Sequence, residues 1–229
     1  MRLDKYICDA SELTRKQAKQ ILKSGEITLN GQVVKNAATQ VKEGDQVKWL
    51  DDEITLIGPR YIMLHKPMDM ICSNIDEVYP SVLNLLDIEK KAELHIAGRL
   101  DADTTGLVLI TNDGQWSHRI TSPKHTCQKT YRVWLETAID QTAVNQLEQG
   151  VLLHGEKQVT KPATVRVIED KVILLTISEG KYHQVKRMLA ATGNKVTYLH
   201  REQIGSVVLD AELEEGEWRY LTQDEIASF

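Results

Sequence analysis

The stretch "GRLDADTTGLVLITNDG", residues 98–114, sets two carboxylates, Asp101 and Asp103, one residue apart in front of an apolar run. Whether it is a metal loop, a phosphotransfer motif or the entry to a sheet decides the fold. A calcium-binding EF-hand loop takes side-chain ligands at positions 1, 3, 5 and 12, with glycine at 6. Counted from Asp101, Asp103 falls at 3, Thr105 at 5 and Gly106 at 6. Position 12 is Asn112, where a bidentate glutamate is required. Leu107-Val108-Leu109-Ile110 follows at once and reads as a buried strand, not as a loop entering a helix. The calcium reading fails. Locally there remains a turn whose Asp and Thr side chains cap backbone groups, with Gly106 in a strained conformation.

The Asp-x-Asp-x-Thr spacing also resembles the nucleophile motif of haloacid-dehalogenase-type phosphohydrolases. There the first Asp follows a buried parallel strand and is phosphorylated beside magnesium. Here His95-Ile96-Ala97-Gly98-Arg99-Leu100 precedes it and does not read as an apolar strand. No later acidic pair closes an apolar run, and strands do not alternate regularly with helices. Outward from the loop, residues 61–64, 107–111, 130–135, 164–167 and 171–177 read as strands, and 141–149 and 183–192 as helices. The body, residues 58–229, is expected to be α+β: a mixed, largely antiparallel sheet flanked by helices.

Residues 1–57 read as a separate, smaller domain. Leu3, Tyr6, Ile7 and Ala10 share one face of a short helix. Thr14 and Gln17 have the spacing of a capping box, opening a second helix that runs to Gly25. Its apolar residues Ala18, Ile21 and Leu22 lie beside a basic stripe of Arg15, Lys16, Lys19 and Lys23. Asn30-Gly31 then sits between two short alternating runs, a hairpin signal suited to a type I′ turn. Gly44-Asp45 turns the chain into a further strand at 46–50, and residues 51–60 read as the linker.

Composition is that of a globular protein, 41% hydrophobic and 27% charged over 229 residues. The net charge of −5 conceals an asymmetry: residues 1–50 carry nine basic and six acidic side chains, the remainder more acids than bases. No apolar run is long enough to cross a bilayer, and the start lacks the apolar core of a secretory signal. Cys8, Cys72 and Cys127 form no Cys-x-x-Cys pair, so neither a disulfide framework nor a zinc site is expected. A reducing cytoplasm fits this usage.

Two further segments stand out. Residues 126–133, Thr-Cys-Gln-Lys-Thr-Tyr-Arg-Val, enter a strand in which Tyr131, Val133 and Leu135 share a face. In 179–189, "EGKYHQVKRML", Val185, Met188 and Leu189 make the buried face of a helix, yet Lys181, Lys186 and Arg187 crowd its N-terminal end. Positive charge there opposes the macrodipole, and a local rule broken without local gain points to function. His183 has no second His or Cys at metal-binding spacing, which leaves it a hydrogen-bonding or packing role.

Together these segments carry a resemblance. "RLDKYI…TRKQAKQILKSGEITLNGQVV…VKEGDQV" resembles the S4 RNA-binding module. "HKP" at 65–67, "GRLDADTTGLVLITNDG", "KTYRV" at 129–133 and "EGKYHQVKRML" resemble the motifs of the pseudouridine synthases of 16S (small-subunit) ribosomal RNA. "DGQWSHRITSP" at 113–123 and "LHRE" at 199–202 extend the likeness, so it spans the chain. Such an isomerase breaks the N1–C1′ bond of one uridine, turns the base and rejoins it through C5. No redox change or net hydrolysis occurs, and the resemblance implies no cofactor and no metal. The base must leave its stack to be reached.

The resemblance places the essential carboxylate on Asp101, as nucleophile or base, with Asp103 supporting the loop or holding Thr104 and Thr105. Burial opposes an ionised carboxylate and a nearby cation counters this; the implied cation is Lys186, with Arg187 adjacent. Tyr131 is implied to pack on the target uracil. Arg99 is either an intraprotein ion-pair partner or a wedge that assists base extrusion. Arg15, Lys16, Lys19 and Lys23 are implied to contact phosphates, as is the basic end that includes Arg187. The implied partner is 16S ribosomal RNA, free or in an assembling small subunit, acted on by a cytoplasmic monomer. A noncatalytic RNA-binding or assembly factor with the same fold is the alternative.

Overall fold

The computed structural model describes residues 1–123 and 126–229. They form two compact units: Met1–Pro59 with Ile88–Lys91, and Arg60–Asp87 with Ala92–Phe229.

In the first unit two helices, α1 (Leu3–Ala10) and α2 (Arg15–Ser24), accompany a small antiparallel sheet. Its strands β1 (Ile27–Leu29), β2 (Gln32–Val33), β3 (Val47–Trp49) and β4 (Asp52–Glu53) lie in the order β2-β1-β3-β4. The expected capping box is formed: the Thr14 hydroxyl accepts from the Gln17 amide, and the Thr14 amide donates to the Gln17 side chain at 2.8 Å. Gly25 closes α2 in the left-handed region at φ 82°. Asn30 (φ 51°) and Gly31 (φ 80°) turn β1 into β2, with Leu29 facing Gln32. Leu3, Ile7, Ala18, Leu22, Ile27 and Val47 fill the core. Ile88–Lys91 belongs to this unit, because the Lys90 amide donates to Glu12 and its ammonium to the Cys8 carbonyl.

The second unit is built on a nine-stranded mixed sheet. In chain order come β5 (Tyr61–Lys66), β6 (His95–Ala97), β7 (Thr105–Thr111), α3 (Gly114–Thr121), β8 (Lys129–Leu135), α4 (Gln141–Gln149), β9 (Thr164–Glu169), β10 (Val172–Ile177), α5 (Gln184–Ala191), β11 (Val196–Ile204), β12 (Val207–Val208), β13 (Trp218–Tyr220) and α6 (Gln223–Ala227). The main path runs β13-β5-β7-β11-β8-β10-β9, with β6 beside β7 and β12 beside β11. Pairing is antiparallel except between β7 and β11. β7 is buried along its whole length, which is why its sequence is a continuous apolar run and not an alternation. Trp116 and Ile120 of α3 pack with Met63, Leu107, Leu109 and Ile204. Among the described residues no helix is long and apolar enough to cross a membrane.

Several elements depart from the sequence expectation. His95–Ala97 is a strand after all, though a short one, and antiparallel to β7. Residues 98–100, a bend and irregular backbone, separate it from Asp101, unlike the buried parallel strand a phosphohydrolase nucleophile follows. α3 was hidden because its start, Asn112-Asp113-Gly114, also reads as a turn; Asp113 caps it by accepting from the Gln115 and Trp116 amides. β11, nine residues long, places an arginine in a buried position and so breaks the apolar pattern. Asn112, the residue that failed as a calcium ligand, accepts the Arg60 amide at 2.7 Å.

Candidate active site

The site is assembled by strand register. Lys66 on β5 faces Gly106 on β7, Gly106 faces Arg201 on β11, and Arg201 faces Tyr131 on β8. One cross-strand row thus brings two cations and a phenol to the point where the 98–104 loop enters β7. Gly106 is obligatory in this row. Its φ is +108°, and a Cβ there would stand 2.3 Å from the Arg201 carbonyl oxygen.

Both cations are consumed in holding the loop. Lys66 is fully buried and donates to the carbonyls of Pro67 at 2.9 Å, Ala102 at 3.2 Å and Thr104 at 2.8 Å. Burial pulls its ammonium below the usual lysine range, partly opposed by the nearby acids Asp103, Asp101 and Asp69. Arg201, 1% exposed, grips the other end: it donates to Gly98 O at 2.7 Å, Leu107 O at 2.8 Å and Arg99 O at 3.4 Å. The same guanidinium reaches the Tyr131 hydroxyl at 3.4 Å. Leu100 N–H adds a contact to the Cys72 sulfur. The loop's backbone is therefore fixed independently of its two carboxylates.

Asp101 and Asp103 meet α5. His183 Nε2 lies 3.3 Å from Asp101, and Lys186 Nζ lies 3.7 Å from Asp101 and 2.5 Å from Asp103. Desolvation pushes the Asp103 carboxyl up, but the Lys186 ammonium outweighs it and holds the group below the usual aspartate range. Lys186 thus bridges both acids, and its closer partner is Asp103, not Asp101 as expected. Thr105 is not held by Asp103 either; its hydroxyl bonds Tyr198 at 2.7 Å and His200 Nδ1 at 2.8 Å.

Asp101, Arg99, Tyr131 and Lys186 line one cleft of about 860 Å³, within the range of ligand-binding clefts. Tyr131 is 7% exposed, a ring set into the wall. Arg99 is exposed, with no ion pair for its side chain among the described residues. Arg187 turns elsewhere. Its guanidinium donates to the carbonyls of His154 and Tyr182 and lies 3.5 Å from Glu156. The misplaced positive charge at the start of α5 is thereby compensated: Lys186 by the two aspartates, Arg187 and Lys181 by Glu156. In the first unit Arg15, Lys16, Lys19 and Lys23 are all exposed on α2, and none forms an ion pair among the described residues.

Sequence reasoning missed Lys66, Arg201 and the His183–Asp101 contact as parts of the site. A signal for the two cations existed. Lys66 shares strand parity with buried Ile62 and Leu64, and Arg201 with buried Leu199. A charge in the buried register of a strand must find acceptors there.

Comparison with known proteins identifies what the two units are similar to. Residues 60–191 match the model of a family described as RNA pseudouridylate synthase, and residues 1–47 match the S4 domain. A Vibrio cholerae protein named ribosomal small subunit pseudouridine synthase A is 58% identical over 228 residues, covering 100% of this chain and 99% of the relative. The protein of that name from Escherichia coli K12 is 50% identical over 229 residues, with the same coverage. A solved structure described as a pseudouridylate synthase superposes with a TM-score of 0.73 at 50% identity, covering 100% of this chain and 99% of that one.

Proposed function

The chain belongs to the RNA pseudouridylate synthase family, whose members are isomerases, and from that premise we propose that it converts one uridine of 16S ribosomal RNA to pseudouridine through Asp101. The observation that carries the assignment is the convergence of Asp101, Lys186 and Tyr131 on one cleft whose loop is anchored by two buried cations. The small-subunit target rests on relatives of that name that align with this chain from end to end.

In this reading the target uridine leaves its stack and enters the cleft, where the Tyr131 ring packs on the uracil. Arg99, exposed at the cleft, fills the gap left in the RNA. The Asp101 carboxylate, as nucleophile or base, acts as the N1–C1′ bond breaks, with the Lys186 ammonium 3.7 Å away facing the charge that changes there. The base turns, C5 bonds to C1′, the C5 proton leaves and N1 gains a proton, so nothing is added or lost overall. Arg15, Lys16, Lys19 and Lys23 position the RNA through phosphates. Arg187, bonded within the protein, helps to order the start of α5 in place of contacting RNA. The substrate is 16S RNA, free or within an assembling subunit, and the enzyme acts as a monomer in the cytoplasm.

Pseudouridine mapping of 16S RNA tests the assignment in cells whose only copy carries Asp101→Asn. One pseudouridine disappears if the reading holds. If every pseudouridine persists, the chain is a noncatalytic RNA-binding factor.

A further inference from the structure

Tyr182 is the anomaly of the cleft. It is 75% exposed, a whole aromatic ring held in water at the rim of a cleft whose other aromatic, Tyr131, is set into the wall. One face is stacked on the His183 imidazole, with ring centres 3.7 Å apart and planes 21° from parallel. The other face is left open.

His183 holds that arrangement at a local cost. It is a non-glycine residue in the left-handed region, φ 47°, a conformation that L-residues seldom adopt. It also occupies the N-cap of α5 without capping any amide. Its imidazole instead reaches Asp101 at 3.3 Å. The backbone of Tyr182 is pinned as well, its carbonyl accepting from Arg187 at 3.0 Å. Strain, a forgone cap and an exposed ring all serve one geometry: an aromatic shelf tied, through His183, to the reacting carboxylate. Such strain persists only where the surroundings enforce it, and it concentrates at binding sites.

We propose that the open face of Tyr182 is a stacking subsite for the nucleobase next to the target uridine. The proposal rests on the pseudouridine synthase reading above. Extruding one base leaves its neighbour with an uncovered face, and an aromatic ring beside the cleft supplies the missing stack. Stacking tolerates any base, so the shelf contributes affinity and register while the cleft selects uridine. Tyr182 is a binding residue here, and His183 positions it.

The test has two arms. The first maps pseudouridines in a 16S RNA transcript and in partly assembled subunits incubated with wild-type protein; their absence from both overturns the functional reading alone. The second measures binding of a labelled oligoribonucleotide spanning the mapped uridine, or oligouridylate if none is mapped, with the full-length protein. Tyr182→Ala should weaken binding about five- to tenfold or more, the low end of one lost aromatic–base stack. Tyr182→Phe and Tyr182→Trp should bind within about twofold of wild type, and kcat of all three should stay near wild type while KM for the Ala variant rises. A single abasic position on one side of the uridine should weaken wild type to the same degree and Tyr182→Ala no further. Additive losses at both flanks, or a Phe variant as weak as Ala, overturn the subsite.

Discussion

One residue separates Asp101 from Asp103, and Lys186 divides its ammonium unequally between them, 3.7 Å to the first and 2.5 Å to the second. Asp101 also lies 3.3 Å from His183 Nε2. The loop backbone beneath both is held by Lys66 and Arg201, so neither carboxylate is needed to keep the loop in place. The two substitutions should therefore separate. Asp101→Asn abolishes pseudouridine formation, whereas Asp103→Asn lowers kcat/KM roughly tenfold, the equivalent of about 1.4 kcal/mol. Single-turnover assays on the same RNA measure both, and equal loss at the two positions defeats the asymmetry. Glycine provides a second contrast. Gly193 has φ +81° with open space around its Cα, so Gly193→Ala meets only backbone strain of about 1 kcal/mol. Gly106→Ala adds a collision with the Arg201 backbone, at 2.3 Å, inside the central sheet. It should cost about 3 kcal/mol or more, read as a far larger fall in Tm.

Elements whose signals are local were legible in the sequence, and those whose signals depend on distant partners were not. The capping box and closing glycine delimit α2 because Thr14, Gln17 and Gly25 satisfy orphan backbone groups within the same helix. Thr14→Ala should accordingly cost about 1 kcal/mol and fray α2 from its first turn, seen as faster amide exchange near Lys16 and Gln17. Unchanged exchange there would mean that the cap is idle. The hairpin at Asn30-Gly31 was legible for the same reason. α5 was found by its apolar face, but its crowded cations made sense only once Asp101, Asp103 and Glu156 came in from other elements. β11 lay hidden because Arg201 occupies an inward position, and its acceptors, Gly98, Arg99 and Leu107, lie about a hundred residues earlier. The candidate carboxylate was legible as a motif; the machinery that aims it was a property of register.

At the scale of the whole molecule, charge determines both acid stability and RNA affinity. Near the C-terminal end, Arg219 binds Glu225 at 2.8 Å and Asp210 at 2.7 Å. The Arg219 hydrogen bond is the main cause that lowers the Glu225 carboxyl from its ordinary 4.5 to about 2. A carboxyl depressed in the folded state stabilises fully above its unfolded value, and that stability is lost as pH falls from about 4.5 through about 2. Glu225→Gln, which can retain the capping interaction with Thr222, should lower Tm at pH 7, and the difference from wild type should shrink toward pH 2. A constant difference across that range would exclude the linkage. For RNA the net charge of −5 is misleading, because the exposed stripe on α2 carries no ion pairs among the described residues. If Arg15 and Lys19 each neutralise a phosphate, reversing both removes two counterion-release events. The slope of log K against log salt should then flatten by about 1.4 to 1.8, from about 0.7–0.9 per contact. The affinity loss is consequently greatest at low salt and narrows as salt rises. Filter binding of 16S RNA from 50 to 300 mM salt, roughly the range over which such slopes are resolved, makes the measurement. An unchanged slope with reduced affinity would move the phosphate contacts off α2, and with them the case for the first unit as the RNA-positioning module.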